Sequence, residues 1–304
     1  MIVFMGTPEF SVPILKMLLD KKYPVGLVVT QPDKKVGRKQ VVTPSPVKQL
    51  AESYGVKVYQ PEKLSKEYQY ILDLKPELII TAAYGQILPK ALLEEVPAIN
   101  IHGSLLPKYR GGAPIQYALF EAEEKTGVTL MEMVYKMDAG DMIEKKEVLI
   151  SESDNYQTLS QKLSTIGKEL LEENIDKILK KQYKKEKQDE ALVTFAYTIK
   201  KEEEKIDWNK ETKFVLGHIK GLSPQTGAYT EIKNEKLKIY NAQKSDIILD
   251  EMPGTILIQD KKILVATKNG TVEILEIQQQ GRKILTTKVF LNGQSLIKTG
   301  DKFQ

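Results

Sequence analysis

Apolar residues come in short unbroken runs along the first half of the chain. Met1 to Met5 run into Gly6, Val25–Val29 and Leu78–Ile80 repeat the pattern, and a shorter strand ends at Ile99-Asn100-Ile101-His102. The first three of these runs do not alternate polar with apolar, and helical stretches separate them. That combination predicts a parallel sheet buried on both faces. Between the first two runs, Ile14, Leu15, Leu18 and Leu19 recur at helical spacing. Thr7-Pro8-Glu9 predicts the start of that helix, with Thr as N-cap and Pro at the first helical position. Further helices are predicted over 47–54, 62–74 and 113–121, with a short strand over 56–59. Two β-patterned runs, 128–134 and around 148–150, flank a turn. A long amphipathic helix over 156–181 then closes an open α/β half.

Segment 181–209 is highly charged and reads as a linker, ordered at Leu192 to Tyr197 where apolar residues return. Beyond it the pattern predicts one helix (210–220) and strands at 227–232, 236–241, 254–258, 262–267 and 271–277. Asn269-Gly270 is a hairpin signal between the last two. The expected fold class is α/β: an open, mostly parallel Rossmann-like sheet domain followed by a smaller β-barrel (OB-like) domain. The expected division is 1–188, a linker over 189–208, and 209–304.

The 304 residues suffice for two domains at roughly 150 residues each. There is no cysteine, which excludes disulfides, thiol nucleophiles and thiolate metal sites, and His102 and His218 are the only imidazoles. No metal is expected. The N-terminus has no basic region ahead of a long apolar stretch, and no apolar run approaches a membrane span. A cytoplasmic protein without a membrane partner is expected, and a monomer. The net charge of +4 is unevenly spread: residues 209–304 hold 15 Lys/Arg against 10 Asp/Glu, the remainder 30 against 31. So small an excess suits solubility as well as contact with a polyanion.

Candidate chemistry concentrates in residues 100–119, NIHGSLLPKYRGGAPIQYAL. Asn100 and His102 are two apart at a strand end, so their side chains leave the same face. In an open parallel sheet the C-terminal strand ends border the binding crevice. A carboxamide beside an imidazole there suits acyl transfer, in which a carbonyl oxygen gains negative charge. A histidine near a strand end is often only a polar loop residue, and spacing alone leaves the choice open. Ser104, Leu105, Leu106 and Pro107 follow, apt for gripping a flat heteroaromatic ligand. An imidazole used this way needs a carboxylate to orient it. The loop Met137-Asp138-Ala139-Gly140-Asp141 offers two, although Asp and Gly also suit a plain hairpin turn. Segment 31–46 is too long for a tight βα connection and carries Lys34, Lys35, Arg38 and Lys39, a basic finger or a solvated surface loop.

The segments MGTPEFSVPIL, TQPDKKVGRKQVVTPSPVKQLAE, AYGQILPK, NIHGSLLPKYRGGAPIQYAL, TGVTLMEM, MDAGDMI and KIDW occur in this order. Over almost the whole chain they are similar to the methionyl-tRNA formyltransferase family. The resemblance implies a catalytic trio of Asn100, His102 and Asp138, Asp138 matching the first aspartate of the family's D-x-G-D loop. It implies 10-formyltetrahydrofolate as co-substrate, seated against Ser104, Leu105, Leu106 and Pro107, with Tyr84, Gln86, Ile87 and Leu88 lining a pteridine pocket. It further implies initiator methionyl-tRNA as acceptor, its acceptor stem met by Lys34, Lys35, Arg38 and Lys39, with Arg38 foremost. The implied reaction is attack of the methionyl amino group on the formyl carbon. Asn100 and the His102 imidazolium would donate to the oxyanion, and Asp138 would hold the imidazole and relay the proton.

A formyltransferase acting on a small amine, such as glycinamide ribonucleotide or an amino sugar, would keep the same trio but need neither the basic segment nor the C-terminal domain. A dinucleotide oxidoreductase is disfavoured because the first turn, Gly6-Thr7-Pro8-Glu9-Phe10, lacks the G-x-G-x-x-G spacing. A non-catalytic RNA-binding protein is disfavoured by the intact trio.

Overall fold

The computed structural model describes residues 1–37, 40–293 and 296–304. Strand β1 (Ile2–Gly6) is buried at every position, as a central α/β strand requires. A 3-10 turn at Glu9–Ser11 leads into α1 (Val12–Asp20), which carries Pro at its start. The expected Thr7 cap is not formed. Its hydroxyl donates to the Tyr84 carbonyl at 2.9 Å and accepts from the Gln31 N–H at 3.3 Å, so it ties the end of β1 to two neighbouring loops.

The chain continues through β2 (Val25–Val29), β3 (Lys34–Val36), β4 (Val41–Thr43), α2 (Pro46–Ser53), β5 (Val58–Tyr59), α3 (Leu64–Glu67), α4 (Gln69–Asp73), β6 (Leu78–Ala82), α5 (Lys90–Glu95) and β7 (Ala98–His102). Helix α2 starts where side-chain chemistry dictates: Pro46 stands at its first position, and the Ser45 hydroxyl accepts from the Lys48 N–H at 3.1 Å. Two expectations need correction. The single helix over 62–74 is two short ones meeting at Tyr68. Segment 31–46 is not irregular throughout: β3 and β4 pair as Lys34↔Thr43, Lys35↔Val42 and Val36↔Val41, so the backbone satisfies itself.

After α6 (Pro114–Phe120) come β8 (Lys125–Glu132), β9 (Met142–Leu149) and α7 (Tyr156–Leu179). The large sheet has the order β5-β2-β1-β6-β7-β8-β9, parallel through β7 and antiparallel beyond it. Connections run outward from β1 in opposite directions, through β2 to β5 and through β6 to β7. The C-terminal ends of β1 and β6 therefore border a switch-point crevice. Among the described residues no helix is long and apolar enough to cross a membrane.

Two compact units emerge, and they are not contiguous in sequence. The first comprises Met1–Pro114, Lys125–Leu149 and Ser160–Tyr197; the second comprises Ile115–Glu124, Ile150–Leu159 and Thr198–Gln304. Within the second lie α8 (Thr212–Leu222), β10 (Ala228–Ile232), β11 (Glu235–Lys244), β12 (Ile256–Gln259), β13 (Lys262–Thr267), β14 (Gly270–Gln279), β15 (Leu285–Thr286) and α9 (Thr287–Asn292). Their antiparallel order is β10-β11-β14-β13-β12 with β15 on β14, and no ladder joins β10 to β12 among the described residues. Asn269-Gly270 forms the expected hairpin, with Thr267 opposite Gly270. Ile239, Val265, Ile274, Trp208 and Phe303 lie in this unit's core, against which Phe120 packs.

Candidate active site

Three elements of the first unit deliver the expected polar groups. Strand β7 carries Asn100 and His102 at its C-terminal end. Antiparallel pairing places Asn100 opposite Met131 and His102 opposite Thr129 on β8. The loop joining β8 to β9 carries Asp138.

Each side chain is held by neighbours that restrict what it can do. The buried Thr81 hydroxyl on β6 donates to Asn100 Oδ1 at 2.8 Å. That contact orients the carboxamide and leaves its NH2 as the end able to donate. His102 is buried, and its Nε2 lies 2.9 Å from the Tyr109 carbonyl. A carbonyl can only accept, so Nε2 carries the proton and Nδ1 is the basic nitrogen of the neutral ring. Nδ1 lies 3.8 Å from Asp138 Oδ2. That is too far for a direct hydrogen bond and near enough for one donor to serve both atoms.

Asp138 is held in a demanding conformation. Its φ of 46° is left-handed, a region that non-glycine residues seldom occupy and that typically costs about 1–3 kcal/mol. The carboxylate accepts from the Gly111 N–H at 2.9 Å. Gly111 (φ 130°) must itself be glycine, because a Cβ there would meet the Ala196 carbonyl oxygen at 2.4 Å. Gly140 is required for a similar reason: its Cβ would lie 1.9 Å from the Glu132 carbonyl oxygen. Asp141 faces elsewhere, 3.4 Å from Lys185 Nζ. Geometry thus separates two aspartates that turn chemistry leaves equivalent.

Sequence patterns do not point to Gln188 or Arg110, yet both support this loop. Gln188 Nε2 donates to the carbonyls of Asp138 and Gly140, each at 2.8 Å. The Gln188 Oε1 accepts from Arg110 Nε at 2.9 Å. Arg110 is fully buried and pairs with Glu190 at 2.8 Å, which helps hold the Glu190 carboxyl down at about 2. The backbone of 194–196 completes the layer: Arg110 N–H donates to Thr194 O at 2.9 Å, and Ala196 N–H donates to Arg110 O at 2.8 Å.

The remaining expected residues fall into distinct positions. Ser104 and Leu106 are buried, whereas Leu105 and Pro107 are half-buried. The Ser104 hydroxyl donates to Lys108 O at 2.6 Å, and Leu106 packs with Met131 and Met142. Thr129 pins this turn, donating to Ser104 O at 2.7 Å and accepting from Leu106 N–H at 3.0 Å. Tyr84 and Leu88 belong to the sheet core, and burial pushes the Tyr84 hydroxyl well above its usual range. Gln86 accepts from the Leu64 N–H at 2.8 Å, while Ile87 is 76% exposed. Lys34 and Lys35 are exposed on β3; Arg38 and Lys39 lie outside the described residues. At the hairpin's base Lys48 pairs with Asp33 at 2.7 Å. Among the described residues no group of three or more His, Asp or Glu could hold a metal ion.

A family model described as formyl transferase matches residues 1–175, and one described as formyl transferase, C-terminal domain, matches 198–295. The chain is similar to the methionyl-tRNA formyltransferase of Bacillus subtilis (strain 168), 47% identical over 306 residues, covering 99% of this chain and 96% of that protein. It is also 47% identical over 315 residues to the methionyl-tRNA formyltransferase of Geobacillus sp. (strain WCH70), covering 100% of this chain and 99% of that protein. Among solved structures, the N-formyltransferase from Helicobacter canadensis, in complex with folinic acid and dTDP-3-aminofucose, superposes with TM-score 0.70 at 18% identity, covering 91% of this chain and 98% of that one. HypX from Aquifex aeolicus, in complex with tetrahydrofolic acid, gives TM-score 0.64 at 19% identity; 95% of this chain spans just under half, 46%, of that one. At these identities the likeness establishes the fold.

Proposed function

The chain belongs to the methionyl-tRNA formyltransferase family, and from that premise we propose that it transfers the formyl group of 10-formyltetrahydrofolate to the α-amino group of methionine on initiator methionyl-tRNA. The observation that carries the chemistry is the approach of His102 Nδ1 to Asp138 Oδ2 at 3.8 Å, at the strand end that also carries Asn100. The folate carrier supplies the formyl group, borne on its nitrogen 10.

The amine of an aminoacyl ester is less basic than a lysine side chain, so part of it is unprotonated at neutral pH. An amino group set off the line between Nδ1 and Oδ2 reaches both at about 2.8 Å, because two such contacts close a triangle over 3.8 Å. His102 and Asp138 would hold the attacking nitrogen and accept its proton, which then passes to the departing nitrogen. The Asn100 NH2, aimed by Thr81, donates to the formyl oxygen as negative charge gathers there. Holding the two substrates together supplies much of the remaining barrier lowering.

The exposure of Ile87 and the half-burial of Leu105 and Pro107 support a flat apolar seat for the pterin, which Tyr84, Gln86, Leu88, Ser104 and Leu106 would bound. The β3–β4 hairpin, with Lys34 and Lys35 and the adjacent Arg38 and Lys39, would meet the acceptor stem. On the same reading the antiparallel sheet of the second unit curls into an OB-like barrel that leans on the tRNA, and the enzyme acts as a cytoplasmic monomer.

The deciding experiment compares formyl transfer from 10-formyltetrahydrofolate to charged initiator tRNA, to glycinamide ribonucleotide and to a nucleotide-linked amino sugar. Turnover on the tRNA alone is expected. Preference for either small amine would overturn the substrate assignment while leaving the transfer chemistry in place.

A further inference from the structure

The Asp138 loop is held from outside the segments that carry the expected site. One side chain, Gln188, joins the carbonyls on both sides of Ala139 through a single NH2 group, at 2.8 Å to Asp138 O and 2.8 Å to Gly140 O. Both amide protons are then committed. A carboxamide could also turn over and offer its oxygen to that loop, but the neighbour on its other side forbids this. Arg110 has only donors, and its Nε lies 2.9 Å from Gln188 Oε1. Arg110 is itself fully buried and tied to Glu190 at 2.8 Å, so its direction is fixed by packing and charge. The chain of constraint therefore runs from the buried guanidinium, through one amide, to the backbone of a residue whose φ of 46° needs external support.

We infer that Gln188, oriented by Arg110, is a positioning residue for the formyl transfer that sets Asp138 against His102. Gln188 touches neither the reacting atoms nor the His102 ring; it acts through the backbone of Asp138. This rests on the reading of Asp138 as a member of the catalytic trio. Without the clamp, the loop relaxes toward ordinary backbone angles, and the 3.8 Å approach of carboxylate to imidazole is lost.

The test is a double-variant cycle measured on full-length protein with both substrates. Gln188→Ala is expected to lower kcat on the order of 10²-fold, the usual consequence of a displacement near 1 Å, with little change in KM for folate or tRNA. In an Asp138→Ala background the same substitution should cost almost nothing further, because its route to the reaction is already removed. Gln188→Glu keeps the size and the Arg110 partner but turns carboxylate oxygens toward two carbonyls, so it should be as slow as the alanine variant. It also serves if Gln188→Ala does not fold. Near-normal kcat in both Gln188 variants, with Asp138→Ala slow, overturns this inference alone, as does a full multiplicative loss in the double variant. Near-normal kcat in Asp138→Ala overturns the catalytic trio, and this inference with it.

Discussion

His102 is held through Nε2 with Nδ1 turned toward Asp138, and the consequences for rate follow directly. Removing one donor to a developing oxyanion, or the group that takes the attacking proton, typically costs about 10²–10³ in rate. His102→Ala should lose at least that in single-turnover formylation while circular dichroism stays unchanged; near-normal turnover would sink the assignment. Thr81 gives a subtler case. Thr81→Val keeps shape but deletes the donor to Asn100 Oδ1, leaving the carboxamide free to turn. A loss of about tenfold in kcat is expected, the equivalent of ~1.4 kcal/mol, and an unchanged kcat would show that Asn100 is oriented otherwise. Asn100 and His102 could be read from their spacing because a strand projects alternate residues to one side. Thr81 and Gln188 could not. They lie 19 and 50 residues from their partners, and no local period links them.

Helix α8 carries a different kind of sensitivity. His218 stacks on Phe120 at 4.8 Å, and its Nε2 is shut off from solvent without a hydrogen-bond partner. Desolvation holds its imidazole down at about 4 from an ordinary 6.5. Because the unfolded chain then binds the proton more readily than the folded one, stability rises with pH across that interval. The contribution is complete above about 6.5 and is lost as pH falls through 4, on the order of 3 kcal/mol. His218→Phe keeps the stack and should melt with a flatter dependence on pH between these limits; identical slopes would refute the idea. The β3–β4 hairpin is sensitive to charge instead. Lys34→Glu with Lys35→Glu should raise KM for the tRNA far more than KM for folate, since the phosphate backbone carries far more negative charge than the few carboxylates of a folate. Equal effects on both substrates would remove the hairpin from recognition. The hydrophobic pattern anticipated most elements to within a few residues. It missed the pairing of the hairpin because short exposed strands carry no apolar face to mark them.

The two units share the chain in alternation, and this has a consequence for truncation. Ile115–Glu124 and Ile150–Leu159 belong with Thr198–Gln304. Phe120 packs on that unit's core, and Gly217 admits the Leu119 carbonyl at 2.1 Å from where a Cβ would stand. A fragment ending at Tyr197 keeps both insertions but loses everything they pack against within their own unit. It is expected to melt well below the full chain by calorimetry or to aggregate, and equal melting temperatures would contradict the division. Composition gave no hint of this alternation. A boundary drawn at the charged stretch 181–209 assumes that neighbours in sequence stay neighbours in space.

Local chemistry was enough to foresee a buried parallel sheet, a second β-rich unit, and a carboxamide and imidazole leaving one strand end together. Each of these follows from side-chain periodicity and burial, which act over a few residues. Turn chemistry left Asp138 and Asp141 equivalent and only the family resemblance picked Asp138; folding alone turned Asn100 with Thr81, put the proton of neutral His102 on Nε2 and brought Gln188 beneath the acidic loop. Those outcomes depend on hydrogen bonds between groups far apart along the chain, whose directions exist only once the sheet, its loops and the returning segment of residues 186–197 are packed together.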